Sequence, residues 1–285
     1  MLDTTGRTGE ASTRLGGAAT DREVPALAAP AVVARWRHAL RLYPGLVALI
    51  AMCLLTSAGM LAGSLLMPNA RHQRFARGLT SMIFRRYLGA MERLGCLRLD
   101  VTALDVLRDA PAMVIAPNHP SMIDAGLVLS RLTNLTCIMK AEILRSLLFG
   151  AGARMSGYIT NEPPRSMLRA AVSNLQAGSH LLLFPEGTRT QQLPVNALQR
   201  TVGVIARRAG VSVQTVIIET TSPFLCKGWP LLRIPSMPMA YTLRLGKRFD
   251  PPANVDLFTA QLQDYFRSEL CGARLPALPL HPGAR

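Results

Sequence analysis

An α/β fold, one sheet flanked by helices, is what the sequence predicts, and three observations predict it. Seven short strand-like runs follow one another between Leu97 and Leu245. Helical patterns separate them, the clearest from Pro163 to Ala177, where Met167, Leu168, Ala171, Val172 and Leu175 mark one face and Gly178 supplies the stop. With 49% apolar and 17% charged residues, a chain of 285 can bury a sizeable core in one or at most two domains.

The elements follow in order. Residues 1–41 are rich in Ala, Gly, Thr and Arg with weak apolar periodicity, and read as a flexible tail. Residues 42–70 contain no charge, and Gly45 to Met67 gives 23 residues, enough to cross a hydrocarbon core of about 30 Å. We expect a transmembrane or membrane-associated segment there, an N-terminal membrane-associating helix. A signal peptide, a buried core helix and a re-entrant hairpin remain open as alternatives. Arg35, Arg37 and Arg41 precede the segment, and the larger cluster Arg71, Arg74, Arg77, Arg85 and Arg86 follows it. That asymmetry places the C-terminal domain on the cytoplasmic side of an inner or cytoplasmic membrane.

Residues 71–96 form a basic amphipathic helix, with Phe75, Leu79, Met82, Ile83, Tyr87, Met91 and Leu94 at near-helical spacing. Its arginines suit anionic lipid headgroups. Residues 97–272 make the α/β domain, whose strand-like runs are Leu97 to Val101, Met113 to Ala116, Leu135 to Met139, Tyr158 to Thr160, His180 to Phe184, Val213 to Ile218 and Met239 to Leu245. Residues 273–285 are a Pro-rich C-terminal tail.

A net charge of +15 favours an anionic partner. Nucleic acid is disfavoured, because its readers interleave basic residues with exposed aromatics and only 5% of this chain is aromatic. The five cysteines are odd in number and dozens of residues apart, which argues against a disulfide framework and a Cys-based zinc site. No metal site is expected.

Two constellations carry chemistry. After the second strand comes Pro117-Asn118-His119-Pro120-Ser121-Met122-Ile123-Asp124, an N-H-x4-D pattern. Proline suits the first helical position, so His119 is expected to cap a helix that Pro120 opens, with Asp124 leaning back toward the imidazole from its second turn. A carboxylate on one ring nitrogen fixes the tautomer and stabilises the imidazolium formed when the other nitrogen takes a proton. After the fifth strand comes Phe184-Pro185-Glu186-Gly187-Thr188-Arg189. Here Gly187 permits close backbone approach and Arg189 offers a fork matched to phosphate oxygens. Both patterns sit at strand ends, where open α/β sheets bind ligands.

In this order and spacing, N-H-x4-D and F-P-E-G-T-R resemble the glycerolipid acyltransferase family, typified by the 1-acyl-sn-glycerol-3-phosphate (PlsC-type) acyltransferases, over about Pro111 to Leu245. The resemblance implies a glycerolipid-acyltransferase-like sheet and acyl transfer from acyl-CoA or acyl-ACP to a lysolipid hydroxyl at a bilayer. The acceptor it favours is 1-acyl-sn-glycerol-3-phosphate. It makes His119 and Asp124 the catalytic pair, with His119 deprotonating the acceptor hydroxyl for direct attack on the thioester. Glu186, Gly187, Thr188 and Arg189 would hold the acceptor. No cofactor is implied, because the thioester already carries an activated acyl group.

Two departures stand out. Where the family has an Asp-Arg step, this chain reads Gly157-Tyr158-Ile159-Thr160-Asn161, leaving Arg165 as a possible substitute and Lys140 as a second charge. The fourth block, Val213 to Ile217, lacks its proline. The same chemistry on another acceptor, such as a lyso-ornithine lipid, a glycolipid or a pigment lipid, is the alternative. A non-catalytic membrane-bound scaffold is the alternative of another class. A Ser-nucleophile hydrolase is disfavoured, since no Gly-x-Ser-x-Gly occurs.

Overall fold

The computed structural model describes residues 29–64, 69–146, 150–230 and 233–272. Helix α1, Ala29–Ser64, opens the described chain, and α2, Asn69–Arg93, follows it. The tail expected to reach Arg41 therefore ends sooner. Residues 29–41 are Ala-rich and continuous with the apolar run, so the helix extends back through them and buries Ala39 and Leu42. The rest of that tail, residues 65–68 of the apolar segment and the C-terminal tail lie outside the described residues.

Within α1, Trp36–Gly59 is long and apolar enough to cross a membrane. Trp36, Leu40, Val47, Ile50, Leu54 and Leu55 on it are exposed. The helix touches the domain through α2 and α5 (Gly150–Met155). Gly45 of α1 faces Met91 of α2, and a side chain there would meet Met91 Sδ at 2.4 Å and push that thioether aside.

Helix α2 is amphipathic as expected, but the domain uses it differently. Ile83 and Met91 are buried, together with Ala76 and Leu88, whereas Phe75, Met82 and Leu94 are exposed. Arg77 points inward: Nε donates to Ser156 O at 2.8 Å, Nη1 to Ser179 Oγ at 2.8 Å and Nη2 to Asn174 Oδ1 at 3.0 Å. Arg85 Nε donates to Ser130 O at 3.1 Å. These two arginines fasten α2 to the domain, while Arg74 and Arg86 are exposed.

All seven expected strands are present: β1 (Leu97–Asp100), β2 (Val114–Pro117), β3 (Leu135–Met139), β4 (Ile159–Thr160), β5 (His180–Leu182), β6 (Val213–Thr220) and β7 (Met239–Phe249). They form one sheet ordered β1-β7-β6-β2-β5-β3-β4. Strands β6, β2, β5, β3 and β4 are mutually parallel, and β7 runs antiparallel to β6. The five parallel strands thus share one C-terminal edge.

Helices cover both faces. On one, Val114, Ala116, Leu181, Val213 and Ile217 pack against α6 (Pro164–Gln176), α7 (Thr201–Ala209) and α8 (Val255–Leu270). On the other, Ile115, Leu182 and Val216 pack with Leu88, Met91 and α3 (Asp124–Leu129). Alternate residues of one strand enter different cores, which is why the central strands read as unbroken apolar runs.

Candidate active site

Strand order builds the site. β2 ends at Pro117 and β5 at Leu182, and the two are neighbours in the sheet, with Ile115 paired to Leu182. Chain segments 67 residues apart therefore emerge side by side. Asn118 pins the first on the adjacent strand β6: its Nδ2 donates to Ile218 O at 2.9 Å, and its Oδ1 accepts from Ile218 N at 2.7 Å.

His119 Nδ1 and Asp124 Oδ2 are 2.9 Å apart. The route between them differs from the expectation. Helix α3 starts at Asp124 rather than Pro120, and His119 caps no helix. Residues 120–123 instead form a turn in which Ser121 N donates to Asp124 Oδ2 at 2.7 Å and Asp124 N to Ser121 O at 3.3 Å. A tight turn brings a five-residue spacing together, which helical residues would splay. The Asp124 side chain is fully buried and that of His119 is 16% exposed. With Asp124 ionised, Nδ1 carries the proton and Nε2 is left as the base. Burial pushes the Asp124 carboxyl above the ordinary carboxylate range, opposed by the hydrogen bonds from His119 and Ser121 and by the charge of Arg189.

Phe184 lies against the imidazole, centroids 3.7 Å apart and planes 18° from parallel, so the ring is held on one face as well as at Nδ1. Glu186 is buried and wholly engaged by the protein. Its Oε1 accepts from His119 N at 2.8 Å and Thr190 Oγ1 at 2.9 Å, and its Oε2 accepts from Asn196 N at 2.9 Å. The structure thus gives Glu186 a task other than holding the acceptor: it braces the His119 backbone. Burial raises its carboxyl also, against those same hydrogen bonds.

Gly187 has φ +67°, a conformation that favours glycine, and a side chain there would displace the Gln199 amide, whose Nε2 it would approach to 2.2 Å. It is exposed, and Thr188 and Arg189 beside it are half-buried. Arg189 Nη1 donates to Leu225 O at 2.8 Å and Cys226 O at 3.0 Å. Carbonyls orient the guanidinium without neutralising it, which leaves its charge for an anion. Leu225 O also accepts from Met122 N at 3.1 Å, and Phe224 O from Ser121 Oγ at 2.7 Å. One loop after β6 therefore latches both constellations. Leu225 takes φ 58°, a left-handed conformation costing a branched residue on the order of 1 kcal/mol.

The second block sits elsewhere on the edge. Asn161 Oδ1 accepts from Ala141 N at 3.1 Å, tying the end of β4 to the start of α4 (Ala141–Arg145). Lys140, just before α4, is exposed. Arg165 is exposed in the first turn of α6, which follows β4, three strands along the sheet from β2. Of the expected binding residues it is the one not set beside His119. Asn118, Ser121, Thr190, Asn196 and the 224–226 carbonyls are site residues that sequence reasoning missed; only Asn118, placed directly after a strand, carried a local signal.

Comparison with known proteins bears on this geometry. Residues 98–219 match the family model described as Acyltransferase. A chloroplastic 1-acyl-sn-glycerol-3-phosphate acyltransferase, LPAT1, of Arabidopsis thaliana is 26% identical over 125 residues, 42% of this chain and 35% of the relative. The chain thus spans about a third of that protein's length. The crystal structure of the 1-acyl-sn-glycerophosphate acyltransferase PlsC from Thermotoga maritima has the same fold, with a TM-score of 0.61 at 19% identity over 84% of this chain and 94% of that one. The His119–Asp124 pair and the Phe184–Arg189 block both lie inside the residues that match the Acyltransferase model, on a fold shared with the PlsC structure.

Proposed function

We propose that this protein moves an acyl chain from acyl-CoA or acyl-ACP to the free hydroxyl of 1-acyl-sn-glycerol-3-phosphate at a bilayer. The hydrogen bond between His119 Nδ1 and buried Asp124 carries the reading, because it leaves Nε2 as a base beside the exposed strand edge. His119 takes the hydroxyl proton as the oxygen attacks the thioester carbonyl, and the imidazolium returns it to the departing thiolate. Arg189, oriented by two carbonyls and one strand from His119, receives the acceptor phosphate. The exposed apolar residues of Trp36–Gly59 support membrane attachment, and the Arg-rich flank of α2 supports a cytoplasmic domain.

A second reading, transfer to a lysolipid other than lysophosphatidate, is favoured by Asn161, which spends its side chain on the start of α4 where the family places an arginine. Mass spectrometry of products from purified protein, acyl thioester and either lysophosphatidate or a lyso-ornithine lipid separates the two, with His119→Ala as control. Phosphatidate formed by the wild type alone supports the first reading. Product from the other acceptor alone supports the second, and no acylated lipid from any lysolipid refutes both.

A further inference from the structure

We propose that Tyr241 is a positioning residue for the catalytic pair, its hydroxyl completing the hydrogen bonding of Asp124 at Oδ1 through one bound water. This rests on the acyl-transfer reading and adds to it the group that stands behind the base. Asp124 gives one oxygen, Oδ2, to both His119 Nδ1 and Ser121 N, while Oδ1 is buried with no hydrogen-bond partner among the described residues. The hydroxyl of Tyr241 is unpartnered in the same sense, at the tip of one of the largest fully buried side chains. Burying a polar atom unpaired is costly, and here an acceptor and a donor bear that cost beside one catalytic group.

The fold brings the two together. Tyr241 lies on β7, paired with Thr220 at the end of β6, and shares a core with Phe224, with Leu127 of α3 and with Ile123 of the turn that holds Asp124. Burial raises the phenol well above its ordinary value, the neighbouring Ser121 and Thr220 hydroxyls oppose the rise, and Asp124 and Cys226 add to it. The phenol therefore keeps its proton and is a donor. Of these three hydroxyls, two have their protons committed: Ser121 Oγ donates to Phe224 O at 2.7 Å and Thr220 Oγ1 to Ser222 O at 3.3 Å. Tyr241 carries the uncommitted one. A water among Tyr241, Asp124 Oδ1 and the lone pairs of Ser121 and Thr220 has the two to four polar partners that buried water takes. A donor at Oδ1 favours the ionised carboxylate, working with His119, Ser121 N and Arg189 against the burial that raises Asp124. Ionised Asp124 in turn keeps the imidazole proton on Nδ1 and leaves Nε2 free.

Tyr241→Phe removes one oxygen and keeps the packing, so it tests this on the full chain in detergent. The acid limb of the kcat profile should move up by about one pH unit, because the pair holds its proton more tightly without the donor, and both KM values should match wild type. An acid limb that stays in place, or a raised acceptor KM, would overturn the assignment, since a tyrosine that only fills space does not tune the titration. Carbethoxylation of His119 by diethyl pyrocarbonate, followed by peptide mass spectrometry across the same pH range, reads the pair even if no lysolipid is acylated. A midpoint raised in Tyr241→Phe by about the same interval supports the assignment, and an unmoved one refutes it.

Discussion

The Glu186 carboxylate accepts the backbone N–H of His119 at 2.8 Å, so the second sequence block is a support for the first. The same oxygen holds Thr190, and its partner oxygen holds Asn196. His119 and the Glu186–Arg189 turn are thereby parts of one hydrogen-bonded unit, and a change in one displaces the other.

Glu186→Ala removes the acceptor for three buried or half-buried donors. Unfolding free energy should fall by about 2–4 kcal/mol, the scale set by donors left unpaired. Transfer should fall as well, in protein that still folds at low temperature. Denaturant melts beside kcat measurements check this, and full activity in a destabilised variant would separate Glu186 from the positioning of His119.

His119→Ala should lower kcat by on the order of 10² to 10⁴ with the far-ultraviolet circular dichroism spectrum unchanged, since the side chain lies at the edge of the core. Asp124→Asn should also be strongly impaired, because its amide oxygen can take the place of Oδ2 but offers the imidazole no charge, and its NH2 would be buried at Oδ1, which has no partner among the described residues. Near wild-type turnover in His119→Ala would remove the general-base role.

Arg189→Ala should raise the KM of a phosphorylated acceptor about tenfold or more and leave that of an unphosphorylated one much closer to wild type. It should also cost about 1 kcal/mol of stability, because the Leu225 and Cys226 carbonyls each lose one donor while keeping a backbone one, from Met122 N and Trp229 N. Parallel KM measurements on paired acceptors provide the test.

Acid should silence the enzyme before it unfolds it. Burial raises both Asp124 and Glu186, so each takes up its proton at a higher pH than an ordinary carboxyl does. Protonated Asp124 loses its charge on the imidazole, and transfer falls as pH drops through its raised value. The stability sign is opposite. Folded-state values above the unfolded ones give these groups a contribution that is complete below the unfolded values and lost as pH rises through the folded ones. Rates and melting temperatures measured together between about pH 4 and 7 should show activity falling first.

Arg77→Ala should destabilise the domain by about 3 kcal/mol or more, since Ser156 O, Ser179 Oγ and Asn174 Oδ1 all lose a donor from one buried cation. Arg74→Ala, at an exposed position of the same helix, should leave the melt unchanged and weaken binding to anionic vesicles. Chemical denaturation and vesicle sedimentation distinguish the two arginines.

Local chemistry wrote much of this into the sequence. The seven strands, the amphipathic α2 and α6 with its Gly178 stop depend on residues a few positions apart, and period and turn chemistry are visible at that range. The His119–Asp124 pair is local too, although its turn was not: Ser121 N competes successfully for the carboxylate and delays the helix to Asp124. What sequence could not carry is long-range. β5 inserts between β2 and β3, and that order alone sets Glu186 under His119. Arg77 and Arg74 have the same chemistry and nearly the same neighbours, yet packing buries one and leaves the other in solvent. By itself the sequence determined which residues could do the chemistry. Tertiary structure decided which of them meet, because strand pairing and burial are settled between segments far apart in the chain, where no local pattern records the partner.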